Sequence, residues 1–411
     1  MSKKGGITTT ILNFNDKLSK LGENVLVFNN KINNNNYYKT FYSGANIKSI
    51  ISQNFSFYIF TIELLFQILF FRKLKFKERI KLAIYYCFYP YDLVNRIKSI
   101  KSLVNYFKKL KVEIIFSISS SYPLIYSFIL SKWFNKPLVT LAHGEDFIKR
   151  YPYNLNTLIL QKIEKIILSN SIMKKFFLNI HNVKEQKLEI VFRGVNIENI
   201  AIMQTKEQLR DKYNIHLDEF IILTVSRIHY RKGIENVISA LKDILDENPS
   251  LPIKYYIIGE GTEKKSLERL VKSLKLEKKI RFLGSLDDDI RNQYYKISDL
   301  FILVPMIKRN SIEGFGIVYI EANYFKLPVI GARSGGVKIA IEDGKTGYLV
   351  NPNDKKELKE KIMLIINDNN LRLKLGEYGH QRVKELFDWE KIAIVYRKVL
   401  QNTIKEFYLR L

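Results

Sequence analysis

Short apolar runs alternate with amphipathic stretches along most of this 411-residue chain. Lys111–Ser117 and Lys136–Ala142 each read as a strand, with apolar residues at helical spacing over Tyr122–Trp133 between them. Glu164–Ser169 and Leu188–Phe192 are further strand-like runs. A second series opens on Phe220–Val225, a strong strand signal, and a helix begins near Ile234. Strands follow at Lys254–Ile258 and Ile280–Leu283, then a helix over Ile290–Ile297 and a short buried strand, Leu300–Val304. Strands alternating with helices imply parallel sheets and an α/β fold. Nearer the start, Thr9–Lys20 has helical spacing and Asn24–Phe28 reads as a strand. The Asn-rich stretch Asn29–Asn36 reads as a low-complexity loop.

A chain of this length exceeds one ordinary core and suggests about two domains. The expected division is residues 1–200, residues 201–385 and a terminal helical segment, 386–411, opened by Phe387-Asp388-Trp389-Glu390. Glu198–Tyr213 reads as the passage between the domains. The single cysteine, Cys87, excludes an intramolecular disulfide framework and fits a reducing compartment. The polar start, Met1–Gly6, has no apolar signal-peptide core, so a cytoplasmic location is expected.

Charge changes the picture of the first half. The formal net charge is +26, and residues 1–200 carry 30 Lys and Arg against 12 Asp and Glu, compared with 37 against 29 in the rest. That asymmetry fits an anionic partner of the first half, such as a membrane surface or a phosphorylated lipid. It equally fits a proteome rich in Lys, Ile and Asn. Nucleic acid is not expected, because no recognition motif accompanies the charge. Phe55–Phe71 is the most apolar run and is followed by Arg72, Lys73, Lys75, Lys77, Arg79 and Lys81. It barely reaches spanning length and holds Glu63 and Gln67. A buried helix, an interfacial helix anchored by the basic run, and a membrane span are its three readings, in that order.

Candidate chemistry concentrates at the ends of predicted strands, where open α/β sheets bind ligands. After Leu300–Val304 comes Ser311-Ile312-Glu313-Gly314-Phe315-Gly316-Ile317-Val318-Tyr319-Ile320-Glu321-Ala322, followed by Leu327-Pro328, where a helix must stop. This predicts a loop over Glu313–Gly316 and a helix opening over Phe315–Tyr324. Amide groups at such an opening bind anions or sugar oxygens, and glycines let a ligand approach the backbone. Glu313 and Glu321 stand eight residues apart. Along an ideal helix that is ~12 Å, too far for carboxylates flanking one glycosidic bond, which need ~5–9.5 Å. Each therefore grips a different part of one long ligand.

Phe220–Val225 runs into Ser226-Arg227-Ile228-His229-Tyr230-Arg231-Lys232-Gly233 before the next helix. A forked guanidinium and a point-charge ammonium beside a helix N-terminus suit a diphosphate, and Arg227 and Lys232 take that part. His229 and Arg231 read as solvated loop residues. Gly259-Glu260-Gly261 lacks the third glycine of a dinucleotide fingerprint, since Lys264 stands there. Asp287-Asp288-Asp289 reads as a helix cap rather than a metal site. His143-Gly144-Glu145-Asp146 lies at the end of the Lys136–Ala142 strand.

Glu-Gly-Phe-Gly-x4-Glu-Ala, with Leu-Pro-Val-Ile and Gly335-Gly336 downstream, resembles the retaining glycosyltransferases of family 4, which have the GT-B fold. The likeness runs from residue 5 to about residue 400 and is strongest in the second half. It implies two Rossmann-like doubly wound domains facing across a cleft. The implied donor is a nucleotide sugar of hexose type, the acceptor a glycan or lipid-linked hydroxyl, and no metal or other cofactor is needed. By resemblance Glu313 and His143 position the sugar, Arg227 and Lys232 meet the diphosphate, and Glu321 holds the ribose. The amides of Phe315, Gly316, Ile317 and Val318, with Gly259 and Gly261, line the donor site. Gly5 and Gly6 match a pair that meets the donor phosphate after the first strand of the sheet. No room for that strand precedes them, so a reading frame begun too late is expected. The sequence departs from the family's Asn-Gly-Val-Asp at Arg193-Gly194-Val195-Asn196 and from its Gly-Gly-x-Pro-Glu at Gly335-Gly336-Val337-Lys338-Ile339. A sugar-nucleotide epimerase or hydrolase of the same fold, or an inactive truncated paralogue, is the alternative.

Overall fold

The computed structural model describes residues 13–14, 16–23, 27–33, 36–43, 46–48, 112–118, 122–142, 155–200, 202–306 and 313–411. Gly5, Gly6, the Phe55–Phe71 run with its basic flank, and the His143–Asp146 tetrad lie outside them. Two compact units divide the chain: one ends at Val191 and resumes at Ala393–Leu411, and the other is Phe192–Ile392.

In the first unit, β1 (Val27–Asn33), β2 (Asn36–Ser43) and β3 (Asn46–Lys48) form an antiparallel sheet. The Asn-rich stretch is thus not the loop that its composition predicts. Asn29 pairs with Thr40 and Asn33 with Asn36, so backbone pairing with the Tyr- and Phe-containing β2 overrides the weak strand propensity of asparagine. A separate parallel sheet runs β4-β5-β6-β7, from β4 (Ile115–Ser117), β5 (Leu138–Ala142), β6 (Lys165–Leu168) and β7 (Leu188–Ile190). Its crossovers include α1 (Tyr122–Phe134), α2 (Leu155–Lys162) and α3 (Ser171–Ile180). These strands fall where the apolar runs put them. The stretch 13–20 is helical apart from residue 15, which is not described, and sets Phe14 against Phe116 at 4.8 Å and Tyr396 at 5.2 Å between ring centres.

The second unit holds a six-stranded parallel sheet of order β10-β9-β8-β11-β12-β13. Its strands are β8 (Phe220–Val225), β9 (Ile253–Ile258), β10 (Ile280–Gly284), β11 (Leu300–Leu303), β12 (Val329–Ala332) and β13 (Gly347–Val350). Side chains alternate across it with period two. Ile222, Tyr255, Ile257, Leu300 and Ile302 enter one core; Ile221, Leu223, Tyr256, Ile258, Phe301 and Leu303 enter the other. The first core is covered by α5 (Ile234–Glu247), whose Ile234, Val237, Ile238, Leu241, Ile244 and Leu245 fall at helical spacing on one face, and by α10 (Lys355–Asn367). The second is covered by α4 (Lys206–Lys212), α7 (Asp288–Ile297), α8 (Ile317–Tyr324) and the end of α11 (Asn369–Leu386). Strands buried on both faces are why these segments read as continuous apolar runs rather than alternating ones.

The chain moves outward from β8 through β9 to β10, then returns to β11 beside β8 and moves outward the other way. β8 and β11 therefore flank the topological switch point, the place where a doubly wound sheet leaves a crevice beyond its strand ends. Between β9 and β10 lies α6 (Lys264–Ser273), and α9 (Val337–Ala340) follows β12. The terminal helix α12 (Trp389–Tyr408) starts in the second unit and passes into the first. Its entry is tied to the segment after β7: Val195 N–H donates to Phe387 O at 2.7 Å, and Trp389 N–H donates to Val195 O at 3.1 Å. Among the described residues no helix is long and apolar enough to cross a membrane.

Candidate active site

The loops after β8 and β11 meet at the switch point. After β8, residues Tyr230–Lys232 form one 3-10 turn, and Gly233 leaves it with φ +68° to start α5. Only glycine fits there, because a Cβ would lie 2.1 Å from the carbonyl oxygen of Val304, just beyond β11. After β11 the described chain resumes at Glu313. Gly316 caps α8 with φ +83°, so the helix begins at Ile317, two residues later than expected; Phe315 and Gly316 stay in the loop.

This close approach joins the two loops through charge. Lys232 Nζ lies 2.6 Å from Glu313 Oε2, and Arg231 Nη1 lies 3.5 Å from the same oxygen. Burial pushes the Glu313 carboxyl up, but the Lys232 ammonium and its hydrogen bond, with the guanidinium groups of Arg231 and Arg193, outweigh that and hold it below the usual carboxylate range. Arg231 is not the solvated loop residue its sequence setting predicts. It is 8% exposed, because the 3-10 turn rotates it inward, and its carbonyl accepts from Met306 N–H at 2.8 Å. His229 is exposed as expected, with its Nδ1 accepting from Arg231 N–H. Arg227 is exposed on the same loop.

The opening of α8 presents backbone rather than side chain. The Phe315 ring is buried against Phe387 at 5.6 Å, so only its main chain can face a ligand. Ile317 and Val318 are half-buried in the first turn. Glu321, one turn further, has a separate holder: Tyr295 of α7 donates its hydroxyl to Glu321 Oε2 at 3.0 Å. The Arg291 guanidinium is also drawn to that carboxylate, and its Nη1 pairs with Asp288 at 2.8 Å. The two carboxylates of the motif are thus held by different elements.

Gly335-Gly336 belongs to the same cluster. Gly336 N–H donates to Glu313 O at 2.8 Å, and a Cβ on Gly336 would fall 2.0 Å from Gly314 O. This second glycine turn therefore fixes the backbone under Glu313. Gly259 and Gly261 have a similar packing reason. Their Cβ positions would lie 1.8 Å from Ser226 O and 1.9 Å from Ile228 O, where the loops after β9 and β8 continue the sheet pairing. Gly259 N–H is engaged with Gly284 O at 2.7 Å. Asp287 stands at the N-cap position of α7 but makes no side-chain cap bond. Among the described residues no group of acidic, His or Cys side chains could hold a metal ion.

Sequence reasoning missed Arg231 and Tyr295. An arginine beside the lysine, two residues before the glycine Gly233, is the only signal for the first. The second reads as an ordinary core aromatic.

With this geometry in place, comparison with known proteins is informative. Residues 205–382 match the model of the family described as glycosyl transferases group 1. The N-acetyl-alpha-D-glucosaminyl L-malate synthase of Bacillus anthracis is 28% identical over 272 residues, covering 66% of this chain and 68% of that protein. The uncharacterized glycosyltransferase MJ1178 of Methanocaldococcus jannaschii is 31% identical over 256 residues, covering 60% of this chain and 68% of its own. Among solved structures, Anabaena HepE in complex with UDP superimposes with a TM-score of 0.65 at 20% identity, over 74% of this chain and 82% of that one. At that identity the likeness speaks for the fold, which is GT-B. The chain belongs to the group 1 glycosyl transferases.

Proposed function

We propose that this chain is a retaining, metal-independent family 4 glycosyltransferase of the Glu-x7-Glu type, moving a hexose-type sugar from a nucleotide-sugar donor to a hydroxyl of a glycan or lipid-linked acceptor. The observation that carries the reading is the meeting of Lys232 and Glu313 at the switch point, 2.6 Å apart. A cation suited to a diphosphate and a carboxylate suited to sugar hydroxyls stand at one point, as a nucleotide diphosphate sugar requires at the bond to be broken. Arg227 and Lys232 would stabilise charge developing on the departing diphosphate, assisted by the amides of Phe315–Val318 at the α8 opening. Glu321 would take the ribose. His143, Gly5 and Gly6 would act on the sugar and phosphate. The basic first half of the chain would receive the acceptor at the cytoplasmic face of a membrane.

HepE is described in complex with UDP and with UDP-glucose, so a UDP-linked hexose is the first donor to try. The test is thermal stabilisation by UDP-, GDP- and ADP-sugars, beside Arg227→Ala and Glu321→Ala. A ligand at one hundred times its Kd stabilises the native state by about 2.7 kcal/mol. A shift with one nucleotide class, lost in both variants, is expected. Absence of a shift with all three would sink the reading.

A further inference from the structure

Lys232 would be shared between two anions once a donor diphosphate binds. Its ammonium is paired with Glu313 at 2.6 Å. On the proposed reading, on which this inference rests, a donor diphosphate needs the same ammonium. Glu313 is largely shielded from water, and a shielded carboxylate left without a counter-ion would take up a proton or turn away. A proton on Glu313 would convert an acceptor for sugar hydroxyls into a partial donor. Some other cation must therefore stay.

Arg231 is placed to do this. Its Nη1 already lies 3.5 Å from Glu313 Oε2, from the side of the 3-10 turn. Its own backbone is fixed at both ends, the N–H to His229 Nδ1 at 3.3 Å and the carbonyl to Met306 N–H at 2.8 Å. A guanidinium keeps its charge at any working pH and forks onto a carboxylate, whereas the lysine ammonium swings on a flexible stem. We infer that Arg231 is the resident counter-ion of Glu313 and Lys232 the exchangeable one: when the donor diphosphate draws Lys232 away, Arg231 keeps Glu313 ionised and aimed at the sugar. Arg231 is thus a positioning residue acting through Glu313, with Arg193 contributing at longer range, while the Tyr319 hydroxyl of α8, within electrostatic reach of the same carboxylate, donates to Leu303 O.

The experiment is calorimetric titration of the nucleotide sugar selected by thermal stabilisation, between about pH 5 and pH 8. It uses wild type, Arg231→Gln, Arg231→Lys, Glu313→Gln and the Arg231→Gln/Glu313→Gln double variant. Arg231→Gln is expected to weaken donor binding about tenfold near neutrality. Its affinity should fall further as pH drops, while wild type stays flat, because Glu313 now titrates within the window. Arg231→Lys should recover most of the loss, and the double variant should bind no worse than Glu313→Gln alone. A merely structural arginine would lower the melting temperature, leave the pH profile flat and add its loss to that of Glu313→Gln; that result overturns the assignment. Wild type binding none of the nucleotide sugars would instead bring down the transferase reading itself.

Discussion

The hydroxyl of Tyr295 donates to Glu321 Oε2 at 3.0 Å from a position with no solvent exposure. Burial pushes this phenol well above its ordinary range, and the Glu321 carboxylate pushes it further, so it stays a donor at any working pH. The ring is locked by stacking on Phe325, 5.6 Å away and nearly parallel. Tyr295→Phe keeps that packing and removes only the bond to the carboxylate. A hydrogen bond to a charged group contributes about 1.5–3 kcal/mol, so nucleotide affinity should fall about tenfold or more. On the proposed reading Glu321 takes the ribose, so the nucleoside diphosphate alone should weaken as much as the nucleotide sugar. Calorimetry with both ligands checks this, and a loss confined to the sugar form would reassign Glu321.

Arg227 and Gly259, on adjacent loops, should separate binding from folding. Arg227 is exposed, so Arg227→Ala should change unfolding free energy by no more than about 0.5 kcal/mol while weakening the donor. Gly259 has φ +139° and no room, since a Cβ would sit 1.8 Å from Ser226 O. Gly259→Ala should therefore destabilise by at least about 2 kcal/mol. Urea unfolding of both variants beside donor titrations would show the division. Equal stability losses would mean that the loops are not independent in this way.

These residues also show what could be read from the chain before its structure. Four of the six strands of the second unit, β8 to β11, were legible because burial leaves apolar runs such as Phe220–Val225. The loop carrying Glu313 was legible because Gly314, Gly316 and Pro328 punctuate it. Arg231 was not. Whether a charged residue in a short loop faces water depends on a three-residue 3-10 turn and on what the next loop brings, here Glu313, 82 positions away. Tyr295 has the same difficulty, since apolar periodicity places its ring but is silent on its hydroxyl. Gly259 and Gly261 look alike as ligand-approach glycines and as backbone-packing glycines until the neighbouring carbonyls are located. The Asn29–Asn36 stretch was misread because composition reports propensity, whereas the hairpin is set by pairing with Asn36–Ser43.

Asp299 anchors the base of the β8–β11 pair. Its carboxylate accepts from Arg210 Nη2 at 2.6 Å, Lys206 Nζ at 2.6 Å and Ile221 N–H at 2.7 Å. Arg210 is buried and also donates to the carbonyls of Ile297, Leu217 and Glu219. Removing one partner of a buried pair costs about 3–5 kcal/mol when the other is left uncompensated. The three carbonyls soften this, so Asp299→Ala should cost about 2–4 kcal/mol. The loss should appear in urea midpoints with donor affinity per folded molecule unchanged. A variant as stable as wild type would show that the carbonyls suffice.

Glu313 links the site to acid stability. Its folded carboxyl lies below the unfolded value of about 4.3, so ionisation favours the native state. That contribution is fully present above the unfolded pKa and is lost as pH falls through the lower, folded one. Glu313→Gln abolishes it at every pH and leaves Lys232 and Arg231 facing a neutral amide. Near neutrality the variant should therefore melt below wild type. As pH falls below the unfolded value the gap should close, because wild type loses what the variant never had. Melting curves in the absence of donor measure this directly. A gap that stays constant through the acid range would mean that the cost of Glu313→Gln is one of packing, and that the cations around this carboxylate do not hold it ionised.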